Sequence, residues 1–385
     1  MNGESALHEG SLVLKESSSG LAEVDRSSGQ TLKFRAQTEF WSVLRQRVDD
    51  YFAETGRPRR DCPQMYAKTA IIIGWFVASY VLLVFFASAW WQALPLTISL
   101  GLAMAAVGFN IQHDGGHHAY SNHAWINKLM AMTLDMLGGS SYGWDRKHNA
   151  IHHTYTNITG HDGDINLGVL GRLSPHQPRL GFHRLQHFYV WGLYGFLAIK
   201  WQLVDDFWYL FTGRMDQIHV ARPKRWDLVV FIAGKVVFFT AAFVIPLLFY
   251  PVWAVLLCYF AAAFVEGVTL SIVFQLAHAV EEADFPMPAS GTGRIENDWA
   301  VHQVETTVDF ARTDRLVSWF TGGLNFQIEH HLFPRICHVN YPAISKVVEE
   351  TCSEFGIRYV VHETFLAGMA SHFRWLRRMG MSEAT

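Results

Sequence analysis

The chain has 385 residues, of which 31 are Lys or Arg, 34 are Asp or Glu and half are hydrophobic. Charged residues make up only 17%, against about 25% in ordinary soluble domains, which argues against disorder and against a soluble two-domain enzyme. A net charge of -3 provides no basic surface for nucleic acid. The four cysteines form no CxxC pair, so neither a disulfide framework nor a thiolate zinc site is indicated.

The amino-terminal region contains no apolar run. Residues 1–35 are rich in Ser, Gly and Glu, and we predict a flexible tail there. Residues 36–66 are predicted to form an amphipathic and basic cytoplasmic lead-in. Because neither range has the apolar core of a secretory signal, we expect the amino terminus to stay in the cytoplasm.

Apolar runs predict transmembrane helices in two regions, 67–112 and 227–276. Each region holds two runs of roughly the 20 residues that a bilayer core requires, separated by a very short turn. The predicted fold class is therefore an all-α integral membrane protein with four transmembrane helices in two hairpins. Residues 113–226 and 277–385 are predicted to form a helical cytoplasmic cap that carries a histidine-rich di-metal site.

The distribution of basic residues predicts the orientation. Neither short turn contains Lys or Arg, so the positive-inside rule places both termini and the cap in the cytoplasm. Segments 125–137 and 188–203 are apolar but interrupted by charges, and they are expected to lie along the membrane surface. Lys235 and Glu266 interrupt the second pair of runs at similar depth. They are predicted to form a buried ion pair, with snorkelling to an interface as the alternative.

Histidine recurs in four short motifs near the predicted cytoplasmic ends of the spans. HDGGHH begins at His113, HNAIHH at His148, QLAH at Gln275 and QIEHH at Gln327. Residues three or four apart share one face of an α-helix, so each motif is able to direct two or more side chains at one point. One such pair commonly consists of surface or core histidines, whereas four motifs at one face indicate a metal centre.

Eight imidazoles exceed what one ion can coordinate, which predicts two metal ions. The expected ligands are His113, His117, His148, His152, His153, His278, His330 and His331. Neutral imidazole suits iron, copper, zinc or nickel. Zinc has no redox chemistry. Iron is therefore favoured for attack by dioxygen on an unactivated C–H bond of a substrate arriving from the membrane.

HDGGHH, HNAIHH and QIEHH resemble the three histidine boxes of membrane fatty acid desaturases, over roughly residues 65–345. QIEHH is similar to the form in front-end desaturases and bacterial linoleoyl-CoA desaturases. The resemblance implies a non-haem di-iron enzyme, in a bacterial inner membrane, that uses O2 and two electrons to introduce a cis double bond into an acyl chain. It implies catalytic and metal-binding roles for the eight histidines.

The motifs contain further residues expected beside the metals. Gln327 and Gln275 belong to the third box and to the motif after the last span. Asp114 and Glu329 are expected to orient imidazoles through their second nitrogens. His118 departs from the usual pattern and is expected either as a weaker ligand candidate or as a residue next to the ligands. The remaining histidines of interest are expected at the surface: His123, His161, His176, His183, His187 and His302.

Residues 1–65 lack the HPGG motif of the cytochrome b5 domain that is fused to many front-end desaturases. This implies a separate ferredoxin or cytochrome b5-type electron donor. Basic residues predicted on the cytoplasmic face could bind that donor or anionic lipid: Arg146, Lys147, Arg222, Lys224 and Arg225. The acyl chain could be carried on CoA, a carrier protein or a glycerolipid. An acyl hydroxylase, acetylenase or carotenoid oxygenase, or a histidine-rich metal transporter, remain alternatives.

Overall fold

The computed structural model of the protein describes residues 32–215 and 218–381. The tail predicted for 1–35 lies outside these ranges except for its last four residues. Within those four, Leu32 is buried, Lys33 forms a backbone bridge with Arg294, and Phe34 stacks on Tyr155. Residues 32–35 therefore pack against the fold.

The described chain is mostly helical. The α-helices, in chain order, are α1 Glu39–Thr55, α2 Pro63–Phe86, α3 Trp90–Gly116, α4 Ala124–Ala131, α5 Thr133–Met136, α6 Ser141–Trp144, α7 His153–Tyr155, α8 Gln186–Tyr194, α9 Phe196–Lys200, α10 Asp206–Thr212, α11 Trp226–Leu247, α12 Val252–His278, α13 Trp299–Glu305, α14 Arg315–Phe320, α15 Gln327–Leu332, α16 Tyr341–Glu354 and α17 Phe365–Met381. Turns of π-helix lie inside α2, α3 and α11, at Leu82–Phe86, Gly108–Gln112 and Thr240–Val244.

Other regular elements are short. Separate π-helical segments are Asp145–His152 and Trp201–Asp205, and 3-10 turns lie at Gly163–Ile165, Gly168–Leu170, Gly181–Leu185 and His338–Asn340. The two-residue strands are β1 Arg214–Met215, β2 Ile218–His219, β3 Asp309–Phe310 and β4 Val361–His362. β1 pairs antiparallel with β2, and β3 pairs parallel with β4.

Within the described ranges, four helices are long and apolar enough to cross a membrane. α2, α3, α11 and α12 contain 24, 27, 22 and 27 residues, and each exceeds the roughly 20 residues that a bilayer core requires. Their exposed side chains include large apolar ones, such as Phe86, Trp90 and Trp253, which is typical of lipid-facing surfaces. The prediction of a mostly helical protein with four candidate transmembrane helices is confirmed.

Close packing of α3 against α12 brings their carboxyl ends together. A Cβ atom on Gly101 would lie 2.5 Å from the carbonyl oxygen of Ala262, so only glycine permits this approach. Farther along both helices, toward their carboxyl ends, the rings of Phe109 and Phe274 are 6.1 Å apart. The two helices therefore run in the same direction, and the histidines at their ends lie on the same side of the molecule.

The predicted ion pair between Lys235 and Glu266 is wrong. Lys235 Nζ instead lies 2.7 Å from the carboxylate of Asp206 in α10, and the amide of Gln202 donates to Glu266 at 3.1 Å. Both charged side chains are buried, so each needs a polar partner. Those partners come from the segment 201–206, whose approach to α11 and α12 cannot be inferred from the depth of the charges.

Helix α1, the first helix in the described ranges, covers the part of the fold that carries the third motif. Four residues at a four-residue spacing form its buried stripe: Phe40, Leu44, Val48 and Phe52. They pack in one core with apolar residues of α15 and α16, including Ile328, Ile344 and Val348. This amphipathic packing fixes one side of α15, which is itself fully buried.

Candidate metal centre

The eight histidines predicted as ligands lie in one buried cluster, which we call the histidine cluster: His113, His117, His148, His152, His153, His278, His330 and His331. Each has at most 7% of its surface exposed. They come from the end of α3, the segment 145–155, the end of α12 and the short helix α15. The structure therefore brings all four sequence motifs to one place.

The ring nitrogens form two sets, each able to surround one ion. Within a set all ligand atoms lie within 4.8 Å of one another: His113, His117, His148 and His330 in the first set, and His152, His278 and His331 in the second. His153 lies between the sets, within the same distance of His330 and His331. Two groups of imidazoles fit the predicted count of two ions.

The second motif lies on π-helix rather than on the α-helix that we predicted. In the segment Asp145–His152 the backbone hydrogen bonds run from residue i to i+5, which brings residues five apart onto one face. As a result the Nε2 atoms of His148 and His153 are 3.2 Å apart. Isolated π-helical turns are frequent at functional sites.

Two glycines allow the third motif to reach α3. Gly322 and Gly323 have φ angles of 63° and 69°, in the left-handed region that favours glycine. A Cβ atom on Gly322 would lie 2.2 Å from the carbonyl oxygen of Phe109. This turn places α15 against the end of α3, so that His330 and His113 have ring centroids 4.5 Å apart.

In four histidines of the cluster, an oxygen atom lies next to Nδ1, the ring nitrogen that faces away from the middle of the histidine cluster. At Nδ1 these oxygens belong to Asp162 for His152 (3.1 Å), Gln303 for His331 (2.8 Å), Tyr341 for His330 (3.3 Å) and Thr306 for His278 (3.4 Å). Metal-binding histidines commonly have such an acceptor at the second ring nitrogen. The sequence analysis missed all four residues, since none lies in a histidine motif.

Four of the inward-facing ring nitrogens have no such partner among the residues that the structure describes. The Nε2 atoms of His113, His117, His330 and His331 are buried and lack a hydrogen bond to any described residue. Buried polar atoms in proteins are nearly always hydrogen-bonded, so four unpartnered nitrogens in one place require an explanation. Their lone pairs are available to coordinate metal ions.

Burial also favours the protonation state that metals bind. It lowers the pKa of His148, His153, His330 and His331 well below the usual range, and the neighbouring imidazoles lower it further. Burial therefore favours the neutral form of these rings, which is the form that ligation requires. His152 differs: burial lowers its pKa, but the carboxylates of Asp162 and Asp164 together raise its pKa above the usual value.

Asp164 is a further acidic residue that the motifs did not reveal. Its carboxylate lies 3.6 Å from His152 Nδ1 and belongs to a compact group with His148 and His152. It also forms an ion pair with Lys147 at 2.8 Å. Lys147 is one of the basic residues predicted on the cytoplasmic face, and the carboxylate of Asp164 links it to the histidine cluster.

Gln275 and Gln327 lie where the motifs predict, beside the cluster. Both line a small cavity together with His113 and His278. The Oε1 atom of each glutamine is buried and has no partner among the residues that the structure describes. The two amides therefore offer additional polar atoms at the edge of the centre.

Asp114 and Glu329 do not make the predicted contacts with the second nitrogens of the cluster. The Asp114 carboxylate accepts a hydrogen bond from Nδ1 of His338 at 2.9 Å, and Glu329 contacts the hydroxyl of Tyr359 at 2.8 Å. Both carboxylates are buried, and these partners lie outside the histidine cluster. His118 has a left-handed φ of 57° and an exposed side chain, and it belongs to neither set of ligands.

The prediction of surface positions holds for only part of the remaining histidines. His123 and His176 are exposed, and His161 is half-buried. His183, His187 and His302 are buried, which contradicts the prediction. None of the six belongs to either set of ligands.

Comparison with known proteins agrees with this geometry. The profile of the family "Fatty acid desaturase" matches residues 88–362. An sn-1 linoleoyl-lipid 6-desaturase of Synechocystis sp. is 39% identical over 354 residues, covering 92% of this chain and 99% of the relative. A protein of the same name from Arthrospira platensis is 39% identical over 93% of this chain and 97% of its own length. An acyl-lipid (8-3)-desaturase of Physcomitrium patens is 37% identical over 93% of this chain and 76% of its own length. The chain therefore belongs to the fatty acid desaturase family and is a fatty acyl desaturase.

Proposed function

We propose that the histidine cluster holds two iron ions and that the enzyme uses O2 and two electrons to introduce a cis double bond into an acyl chain. One observation carries this proposal: four buried Nε2 atoms from two separate motifs, HDGGHH and QIEHH, lie together without a hydrogen-bond partner among the described residues. Imidazole is a preferred ligand of iron, and oxygen acceptors support several of the rings from behind.

In this proposal the first set of histidines holds one ion, the second set holds the other, and His153 serves the space between them. Bound iron would supply the redox chemistry that the side chains lack. Two hydrogens leave the acyl chain, and with two electrons and two protons they reduce O2 to two molecules of water. An alkene remains where the chain had CH2–CH2.

The residues of the chain would hold and shield the reacting centre. Phe274 and Leu324 line the small cavity beside His113 and His278, and they provide apolar contacts for methylene groups. The buried rings exclude bulk water from the centre. Asp162 and Gln303 hold the orientation of His152 and His331 through Nδ1.

The proposed membrane arrangement follows the distribution of charge. α2 with α3, and α11 with α12, would form two hairpins, with both termini and the histidine cluster in the cytoplasm of a bacterial cell. Short connections without Lys or Arg join the helices of each pair. Electrons would come from a separate ferredoxin or cytochrome b5-type protein.

The proposed substrate is an unsaturated acyl chain esterified to a membrane glycerolipid. Both cyanobacterial relatives are named linoleoyl-lipid desaturases, and the moss relative is named an acyl-lipid desaturase. All three names specify a lipid rather than CoA or a carrier protein. A substrate in the bilayer also suits helices of membrane-spanning length.

The test is expression in a host whose fatty acids are defined, followed by mass spectrometry of the lipids and metal analysis of the purified protein. We expect a product lighter by two hydrogens on a glycerolipid, and about two irons per chain. A gain of one oxygen would instead establish a hydroxylase. Exchangeable zinc without any product would establish a metal-binding or transport role.

A further inference from the structure

Helix α13 contains no histidine motif, yet its residues contact the cluster from behind. The indole N–H of Trp299 donates to the backbone carbonyl of His153 at 3.1 Å. The carbonyl of Thr306, directly after the helix, faces Nδ1 of His278 at 3.4 Å. A side chain between these two positions, Gln303, makes the shortest contact of the three.

Gln303 links the second and third motifs through one amide oxygen. Its Oε1 lies 2.8 Å from Nδ1 of His331 and 3.0 Å from the hydroxyl of Thr156. The same hydroxyl lies 2.7 Å from the backbone carbonyl of His152. Gln303 is completely buried, so bulk water does not replace these contacts.

The position of this oxygen matters because a neutral imidazole carries only one proton. An acceptor at Nδ1 keeps the proton on that nitrogen and leaves a lone pair on Nε2. In His331 the Nε2 atom is buried and has no partner among the described residues. Without the acceptor, the proton could reside on Nε2 and block coordination there.

We propose that Gln303 is the positioning residue of the second set of ligands, His152, His278 and His331. It would hold the tautomer and the ring orientation in which His331 is able to bind metal. This inference rests on the proposed function for the identity of the metal, but the positioning role concerns any divalent ion of similar ligand preference. The first set has no described hydrogen bond to Gln303, so its ion should not depend on this residue.

The experiment titrates Co2+ into the metal-free, full-length protein in detergent and follows the absorption of the bound ion. We expect two Co2+ per chain in the wild type. In Gln303→Leu, which has a similar volume and no acceptor, one ion should bind unchanged and the other about 10- to 100-fold more weakly. Gln303→Glu should keep both affinities, since a carboxylate oxygen accepts the same hydrogen bond.

Gln186 provides a matched control. It is as fully buried as Gln303, but its amide bonds to the backbone of Arg172 and Leu376, and it belongs to no set of ligands. Gln186→Leu should lower the melting temperature of the metal-free protein and still bind both Co2+ ions with wild-type affinity. A comparable loss of Co2+ in this control would show that any buried hydrogen bond matters, and would overturn the specific role of Gln303.

The role is also overturned if folded Gln303→Leu binds both ions as the wild type does, or if Gln303→Glu is as weak as Gln303→Leu. Should Gln303→Leu fail to fold, Gln303→Met decides the same question with a flexible side chain that lacks the amide oxygen. Failure of the proposed function can be distinguished from failure of the role proposed for Gln303. A wild type without iron or desaturated product, but with a Co2+ site that depends on Gln303, would refute the function alone.

Discussion

Two buried groups of side chains meet at adjacent residues of α3, and they differ in a way that bears on metal binding. His113 belongs to the histidine cluster. Asp114 belongs to a second group with Cys337 and His338, which we call the His338 group. The ligand atoms of the His338 group also lie within 4.8 Å of one another, so distance alone does not separate the two.

Hydrogen-bond partners separate them. Nδ1 of His338 lies 2.9 Å from the Asp114 carboxylate, and Nε2 lies 2.9 Å from Nζ of Lys68. An amine thus occupies the place that a metal cation would take. In the histidine cluster, by contrast, four inward Nε2 atoms have no partner in the described ranges. Proximity together with unsatisfied nitrogens therefore distinguishes the histidine cluster from the His338 group.

The largest expected effect tests the histidine cluster itself. His331→Ala, His148→Ala or His153→Ala should each reduce product formation by more than about 100-fold, since changes in residues behind the ligands alone cost about 10- to 100-fold. Lipid analysis and iron content measure the loss, while membrane insertion should persist. The exposed His123→Ala is the control and should be fully active, and His176→Ala nearly so. A fully active His331→Ala would remove the basis for the metal centre.

The next largest effect is expected for the buried charge of Lys235 in α11, which, like His338, has its partner within the protein. Lys235→Met leaves Asp206 buried without its cation and should lower the free energy of unfolding by about 3–5 kcal/mol. Lys235→Met with Asp206→Asn should recover most of that loss, as measured by unfolding in detergent. Lys235→Met with Glu266→Gln should not, because Glu266 is bonded to Gln202. If Glu266→Gln recovered the loss and Asp206→Asn did not, the ion pair between Lys235 and Glu266 that we predicted from sequence would be supported.

A smaller effect is expected in the His338 group. His338→Ala leaves the Asp114 carboxylate with one partner fewer and should lower the free energy of unfolding by about 1–3 kcal/mol. Metal analysis should still find two ions per chain. Loss of an ion without loss of stability would mean that the His338 group binds metal despite its internal partners.

The smallest effect is expected for the thiol of the same group. Cys337 is fully buried, and Cys337→Ala removes one sulfur atom, so a typical loss of about 1 kcal/mol is expected. Activity and metal content should equal those of the wild type. A metal content reduced by one ion per chain would identify Cys337 as a ligand. It would contradict the conclusion that the His338 group does not bind metal.

The candidate spans and the histidine cluster could be predicted because their signals are local in sequence. An uninterrupted apolar run is sufficient to identify α2 or α12. Likewise, HxxxH spacing at the end of α3 identifies His113 and His117. Recurrence of such motifs, rather than any single one, indicated the cluster.

The supporting contacts could not be predicted because they join distant segments. Asp206 lies 29 residues from Lys235, and Gln303 lies 28 residues from His331, with no motif to mark either residue. Asp114 has a partner 224 residues away, although its position within a box suggested a role next to its neighbours. Which acceptor faces a buried donor depends on tertiary packing, which spacing along the chain does not encode.

The π-helical segment has a consequence for how such motifs should be compared. Its wider turn lets positions 0, 4 and 5 of HNAIHH face the same way, whereas an α-helix would align positions 0, 3 and 4. A chain one residue shorter at this point, wound as ordinary α-helix, would thus present the same three rings. Motif length and backbone winding together therefore decide which rings of such a motif face the same way.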